Sequence, residues 1–182
     1  MTAIAIIGAM DEEVANIATA LSNVTVTEEA GVKVTRGTLE TNKGTAVNVA
    51  ATVGGMGTVN IGGTLRYLDT DMRLVGQFKP GTADRPIEEY HSDDRLLELA
   101  DQALNDLNIH HIVGIIATGN YFVDDPQKVE QVIRETGADA VEMEGAAVAH
   151  VAARNDVPAL VIRALSDNAD TDYEDFKTFD IS

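Results

Sequence analysis

The chain has 182 residues, 45% of them hydrophobic, which is enough for one domain with a real core. Thirteen basic and 30 acidic residues give a net charge of −17, which argues against nucleic acid and anionic lipid as partners. Because of this negative charge, the expected ligand is a small molecule that is not a polyanion. Cysteine is absent, which excludes disulfides, thiol catalysis and the common structural zinc sites.

The N-terminal sequence predicts a cytoplasmic protein. MTAIAIIGAMDEEV lacks the basic start and the cleavage site of a signal peptide. No run of about eighteen apolar residues occurs anywhere in the sequence. We therefore expect neither export nor a membrane span.

The first predicted elements are a strand at Ala3–Ile7 and a helix at Asp11–Leu21, joined by a turn that begins at Gly8. The helix dipole stabilises acids in the first turn, and this accounts for Asp11 and Glu12. Glu13 is the candidate functional residue, because it follows the glycine turn at the carboxyl end of the strand, where α/β sheets place their ligands. The GxGxxG fingerprint of dinucleotide-binding folds is absent.

A β-rich stretch follows and argues against a plain Rossmann pattern. Val24–Val26 and Val32–Leu39 predict paired strands, and Asn42-Lys43-Gly44 predicts a second hairpin into Thr45–Val53. The glycine-rich turn Gly54-Gly55-Met56-Gly57 ends that strand and allows close approach of backbone to a ligand. A parallel sheet then needs a crossover of a dozen or more residues, but Thr58–Thr64 is too short for a helix.

The next segments predict an extended stretch at Leu65–Val75, a loop at Gln77–Pro86, and then alternating helices and strands. A helix capped by Ser92 is expected at Asp93–Leu107, a buried strand at His111–Thr118, and a helix opened by Pro126 at Gln127–Thr136. Phe122, in the loop after the strand, is either a core residue or an aromatic face for a planar base, and its loop position favours the second. The histidines are not clustered with other ligand types, and we interpret three of them as structural: His110, His111 and His150.

Two neighbouring stretches, ADAVEMEGAAVAHVAAR and PALVIRALSDNAD, interrupt apolar runs with charges. They predict strands at Ala138–Val141 and Ala159–Ile162 and a helix at Gly145–Arg154. An unpaired buried charge is costly, so Arg163 is expected to pair with a carboxylate such as Glu142. The carboxylates left to face a ligand are then Glu144 and Asp167.

Five motifs resemble, in order and approximate spacing, those of bacterial 5′-methylthioadenosine/S-adenosylhomocysteine nucleosidases: GAMDEEV, GGMG, TGNYFV, AVEMEGAAVAHVA and VIRALSDNAD. The likeness runs over most of the chain, and the pair VEMEGAA and RALSDNAD is highly specific to the nucleoside phosphorylase and nucleosidase superfamily. It implies a three-layer α/β fold with a mixed, twisted sheet flanked by helices, a homodimer, and hydrolysis of the N-ribosidic bond of the two nucleosides without metal or cofactor.

The resemblance also implies roles for individual residues. Glu13 matches the acid that activates the attacking water, Asp167 matches the acid that protonates adenine at N7, and Glu144 matches the residue that holds the ribose hydroxyls. The other matched positions line the substrate or orient the loop: Phe122 stacks on the purine, Val123 hydrogen-bonds to it through its backbone, Met143 and Met56 lie near the sugar, and Ser166 and Arg163 orient the Asp167 loop.

The sequence departs from the family pattern in two places. The family continues from its GGMG-like turn into a helix, a strand with a glycine- and serine-rich loop, and a further strand, and these pieces are missing between roughly Thr58 and Leu65. The longer loop after SDNAD and the full C-terminal helix are also missing. We therefore expect a single nucleosidase-like domain, residues 1–182, without these segments.

Two other functions remain open from the sequence. A purine nucleoside phosphorylase would need arginines or backbone nests for phosphate, whereas GAMDEEV supplies acids, so hydrolysis is favoured. A nucleoside-binding protein that has lost catalysis together with the central segment is the alternative from another class.

Overall fold

The computed structural model describes residues 3–29, 31–57 and 89–166, which fall into two compact units, 3–57 and 89–166. Several predictions made from the sequence lie outside these residues: the stretches Thr58–Thr64, Leu65–Val75 and Gln77–Pro86, and the candidate acid Asp167. No helix in the described ranges is both long and apolar enough to cross a membrane.

The first unit is a mixed four-stranded sheet with one helix. Its elements are β1 (Ala3–Gly8), α1 (Asp11–Ala20), β2 (Ser22–Glu29), β3 (Val32–Glu40) and β4 (Ala46–Val53). The strand order is β1-β4-β3-β2; β1 and β4 are parallel, whereas the other two pairs are antiparallel. Both predicted hairpins and the predicted first helix are confirmed.

The core of the first unit lies between the sheet and α1. Val34, Val49 and Ala51 are buried on the sheet and Val14 is buried on the helix, as the helical period of its apolar residues predicted. Thr52 is also buried, and its hydroxyl is satisfied because it donates to the Lys33 carbonyl at 2.7 Å. This packing fixes the start of α1, whose first turn contains Glu13.

The second unit alternates helices and short strands. Its elements are α2 (Asp94–Asp106), β5 (Ile116–Thr118), α3 (Pro126–Thr136), β6 (Ala140–Glu142) and α4 (Gly145–Arg154). Strands β5 and β6 are parallel and pair Thr118 with Glu142 at their carboxyl ends. The predicted α/β class with a mixed sheet and flanking helices is confirmed.

Three local predictions in the second unit are wrong. The N-cap of α2 is Asp93 rather than Ser92, because the Asp93 carboxylate accepts the Leu96 backbone N–H at 3.0 Å. The strand expected at His111–Thr118 has only its last three residues, and Ala159–Ile162 is irregular backbone. Ile112 and Ile162 are 67% and 59% exposed, so these apolar runs are not the doubly covered strands that their composition indicated.

The His111 side chain connects the segment after α2 to that helix by hydrogen bonds. Its Nδ1 lies 2.8 Å from the Ile109 carbonyl oxygen and its Nε2 lies 2.9 Å from Asp101 Oδ1. The hydrogen bond with the Ile109 carbonyl, followed by the one with Asp101, raises the pKa of His111 above its ordinary value. His111 is therefore part of the packing of the second unit, as the sequence interpretation required.

A pH dependence of stability follows from this raised pKa. Folding favours the protonated imidazole, so its contribution is complete below the unfolded pKa of about 6.5 and is lost as the pH rises through the higher folded pKa. Asp101→Asn should lower the His111 pKa measured by NMR titration. It should also weaken the pH dependence of the urea unfolding midpoint between the unfolded and the folded pKa of His111. Asp106→Asn, a matched charge removal on the same helix, should change neither the His111 pKa nor this pH dependence. If His111 titrates in Asp101→Asn as it does in the wild type, Asp101 is not a cause of the raised pKa.

Candidate functional site

The backbone of the β1–α1 turn holds the Glu13 carboxylate. Glu13 Oε2 accepts the Ala9 N–H at 2.5 Å and the Met10 N–H at 3.1 Å, and Met10 is the extended N-cap residue of α1. Backbone donors at a helix start favour an ionised carboxylate. Among the described residues no donor reaches the second oxygen, Oε1. Glu13 is therefore oriented through one oxygen, and the other keeps its acceptor capacity.

Gly8 is required for this arrangement because it lies directly against the Glu13 side chain. A Cβ atom added at Gly8 would lie 2.9 Å from both Cβ and Oε2 of Glu13. The Gly8 carbonyl also accepts the Gly54 N–H at 2.9 Å. The β1 turn and the glycine-rich turn that contains Met56 are thus adjacent, and Met56 is 48% exposed. The structure brings two predicted site residues, Glu13 and Met56, to one edge of the first sheet.

In the second unit, Glu142 is the centre of a polar cluster at the carboxyl ends of β5 and β6. Its Oε2 accepts the backbone N–H groups of Glu144 at 3.0 Å and Gly145 at 2.6 Å, the first donors of α4. Its Oε1 accepts the hydroxyl of Thr118, whose oxygen in turn accepts the Ala146 N–H at 2.9 Å. The start of α4, which has no intrahelical acceptors for these amides, is therefore capped by two side chains from neighbouring strands.

Arg163 completes the cluster and confirms the predicted ion pair. Its Nη2 lies 2.5 Å and its Nε 3.1 Å from Glu142 Oε2, and the Glu142 side chain is only 9% exposed. Nη2 also lies 3.9 Å from Glu144 Oε2. One guanidinium thus pairs directly with the Glu142 carboxylate and also reaches the Glu144 carboxylate.

Glu144 is the N-cap residue of α4 and is 8% exposed. A carboxylate so deeply placed is costly unless charged or polar groups surround it, and Arg163 is one of these groups. Met143, which precedes it, is half-buried. The predicted site residues Met143, Glu144 and Arg163 are therefore brought together, as the two charged sequence stretches indicated.

The loop after β5 begins beside this cluster. Its Gly119 N–H donates to the Glu142 carbonyl at 3.0 Å, so the loop leaves the sheet at the same edge as Met143 and Glu144. Val123 is 6% exposed and Phe122 is half-buried. Ser166 is half-buried and is the last described residue of this region. The predicted proton donor, Asp167, lies outside the described residues.

Thr118 has no predicted role from the sequence, although its hydroxyl joins β5, Glu142 and α4. A threonine at the last position of a strand, followed by glycine, was the only available signal, and its pairing partner could not be known without the register. Tyr90 stacks on His150 with ring centroids 5.1 Å apart, in keeping with the structural interpretation of that histidine. In residues 3–57 and 89–166 no three histidine or acidic side chains form a group that could hold a metal ion.

Comparisons with known proteins agree on one family. The model of the phosphorylase superfamily matches residues 64–181. A 5′-methylthioadenosine/S-adenosylhomocysteine nucleosidase of Lysinibacillus sphaericus is 34% identical over 199 residues, covering 91% of this chain and 86% of the relative. The same enzyme of Neisseria meningitidis, solved with methylthio-immucillin-A, shares the fold with a TM-score of 0.82 at 22% identity, covering 98% of this chain and 92% of that one.

A futalosine hydrolase of Helicobacter pylori is similar as well, with a TM-score of 0.79 and 25% identity over 98% of this chain and 90% of that chain. The alignment with the Lysinibacillus enzyme also reveals a difference in length. It spans 199 residues but only 91% of the 182 residues here, about 166, so roughly 33 aligned positions have no counterpart in this chain. That these missing positions lie between roughly Thr58 and Leu65 stays a prediction.

Proposed function

The chain belongs to the phosphorylase superfamily and, within it, to the 5′-methylthioadenosine/S-adenosylhomocysteine nucleosidases, and on this premise we propose that it hydrolyses the N-ribosidic bond of both nucleosides. The products are adenine and the 5′-thioribose. The observation that carries the proposal is the 34% identity to a nucleosidase across 91% of the chain. The carboxylates of Glu13 and Glu144, each at the start of a helix that follows a strand, support it.

The proposed reaction needs a base for water and a proton for the leaving group. Water attacks C1′ of the ribose and gives a proton to Glu13, while the bond from C1′ to N9 breaks. Asp167 donates a proton to N7, so adenine leaves without negative charge. Glu144 binds the ribose hydroxyls, and its charge favours the oxocarbenium character that develops on the sugar. We propose that the three acids act on one bound nucleoside.

The remaining site residues bind the substrate in this proposal. Phe122 stacks on the purine, and the backbone of Val123 hydrogen-bonds to it. Met56 and Met143 contact the sugar, while Ser166 and Arg163 orient the loop that carries Asp167. The half-buried Phe122 and the position of its loop beside Glu142 support this assignment. No metal or cofactor takes part.

Three further features complete the proposal. We propose a cytoplasmic homodimer, built from a single nucleosidase-like domain that is shorter than its relatives near residues 58–65. The difference of roughly 33 aligned positions from the Lysinibacillus relative supports a shorter chain. Light scattering of the purified protein measures the oligomeric state.

The test is base release from methylthioadenosine, S-adenosylhomocysteine, inosine and futalosine, each with and without phosphate. We expect adenine from the first two at a rate that phosphate does not change. A rate that rises with phosphate and yields a ribose 1-phosphate would indicate a phosphorylase, and faster base release from futalosine would indicate the activity named for the Helicobacter relative. Nucleoside binding without base release would indicate an inactive binding protein.

Gly8→Ala should lower kcat by roughly 10- to 100-fold, because the added Cβ would displace the Glu13 carboxylate from its backbone donors. Gly37→Ala is the matched control in the same sheet, since its Cβ would lie 2.7 Å from the Ser22 carbonyl oxygen. It should lower stability while the folded protein retains its kcat. A folded Gly8→Ala protein with wild-type kcat would show that the position of Glu13 does not matter.

A further inference from the structure

Thr118, Glu142 and Arg163 form what we call the α4 clamp. We propose that Thr118 and Glu142 are positioning residues that set the direction of the Glu144 carboxylate, and hence determine binding of the ribose rather than of the base. This inference rests on the proposed function of Glu144 and deepens it. It adds two residues to which neither the family likeness nor the sequence pattern gave a role in the reaction.

Both carboxylate oxygens of Glu142 are engaged in hydrogen bonds. Oε2 accepts two backbone amides and both Nε and Nη2 of Arg163, while Oε1 accepts the Thr118 hydroxyl. A carboxylate has about four acceptor positions, so little capacity remains for a substrate hydroxyl. Glu142 therefore acts on the neighbouring carboxylate and not on the substrate.

The backbone of Glu144 is held by the same cluster. Its N–H donates to Glu142, and the next two amides of α4 donate to Glu142 and Thr118. Three consecutive N–H groups are thus fixed by side chains that are anchored in β5 and β6. Since Glu144 is the N-cap residue of this helix, the clamp fixes the point from which its side chain starts.

Arg163 is shared unequally between two nearly buried carboxylates. It contacts Glu142 at 2.5 Å and reaches Glu144 only at 3.9 Å. Both acids are about 10% exposed, so their attraction for the guanidinium is weakly screened. If the hydrogen bonds between Glu142 and Arg163 were lost, Arg163 would pair with Glu144 more closely. The guanidinium would then compete with the ribose hydroxyls for the Glu144 carboxylate.

The experiment compares Thr118→Val with Thr118→Ser. Valine preserves the shape but removes the hydroxyl, leaving Glu142 Oε1 and the Ala146 N–H without this partner, whereas serine keeps the hydroxyl. We expect valine to raise KM for methylthioadenosine roughly 10-fold or more, while the Kd of free adenine, which has no ribose, stays within about twofold. Glu142→Gln should behave in the same way, and serine should restore values near those of the wild type.

Thr136→Val is the matched control, because the Thr136 hydroxyl plays the same double role elsewhere in the unit. It donates to the Val132 carbonyl at 2.7 Å and accepts the Ala138 N–H at 3.1 Å. Its loss should lower the urea midpoint without changing KM. A Thr118→Val protein that is folded and has wild-type KM, or one that loses adenine and nucleoside binding equally, overturns the inference.

A second measurement separates this inference from the proposed function. The Nε–H resonance of Arg163 reports its hydrogen bond to Glu142, and we expect it to shift in Thr118→Val and Glu142→Gln but not in Thr118→Ser or Thr136→Val. If the wild type releases no adenine, the proposed function fails, and this resonance still tests the clamp. An Arg163 signal unchanged in both Thr118→Val and Glu142→Gln overturns the clamp itself.

Discussion

Replacing Glu13 by glutamine is expected to lower kcat for adenine release by about 10²- to 10⁴-fold, the usual contribution of a positioned general base. The amide oxygen of glutamine can still accept the Ala9 and Met10 N–H groups, so the β1–α1 turn should persist. What glutamine cannot do is take a proton from water. Steady-state assays of adenine release at several concentrations of methylthioadenosine measure the change, which should fall mainly on kcat.

Glu12→Gln is the matched control for this prediction. Glu12 is exposed in the same first turn of α1, and it was assigned only the ordinary stabilising role of an acid near a helix N-terminus. Its replacement removes the same charge one residue away and should leave kcat within about twofold. Retention of more than about a tenth of the rate in Glu13→Gln would remove this residue from the role of base.

Asp167→Asn is the second prediction with a large effect. Without a proton donor, adenine would have to leave as an anion, so turnover should be nearly abolished while substrate binding weakens only modestly. A loss of about 10²- to 10⁴-fold in kcat is expected. Single-turnover measurements with methylthioadenosine separate the chemical step from binding. More than about a tenth of the wild-type rate would refute the assignment.

A substrate with a better leaving group makes this test specific for proton donation. p-Nitrophenolate leaves without protonation, so Asp167→Asn should cleave a p-nitrophenyl 5-methylthioriboside at a rate close to that of the wild type. A variant that is damaged in folding or in sugar binding would lose both activities together. Equal losses on the two substrates would therefore contradict the role of Asp167 as the acid.

The elements that the sequence predicted well are those with a strong local signal. The glycine at Gly44, with a φ of +70°, marks the hairpin between β3 and β4, and the helical period marks α1 and α4. The ion pair of Arg163 with Glu142 followed from the cost of an unpaired buried charge. In each of these cases a few neighbouring residues contain the information.

The strands expected at His111–Thr118 and Ala159–Ile162 show where that approach fails. Apolar composition indicates a preference for burial, but a strand also needs a partner strand, and pairing is a property of the whole fold. The N-cap of α2 also could not be predicted from local sequence alone. Ser92 and Asp93 are both good N-cap residues, and only the backbone geometry selects Asp93.

Some site residues could likewise be predicted from the sequence, whereas others are recognised only in the structure. Residue type and position at a strand end were enough to select Glu13 and Glu144 as candidates. The importance of Thr118 depends on the register that sets it opposite Glu142, and that of Gly8 depends on its contact with the Glu13 side chain. In both cases the role depends on a contact of a few ångströms with a glutamate, and neither the threonine nor the glycine shows that role by its own chemistry.

The central claim is that Glu13, Glu144 and Asp167 act together on one N-ribosidic bond. A crystal structure of the protein with methylthio-immucillin-A, the inhibitor bound to the Neisseria relative, tests it most directly. We predict that all three carboxylates lie within hydrogen-bonding distance, about 3 Å, of one inhibitor molecule or of the water beside its sugar ring. An inhibitor bound with Glu13 and Glu144 facing separate surfaces would contradict the claim.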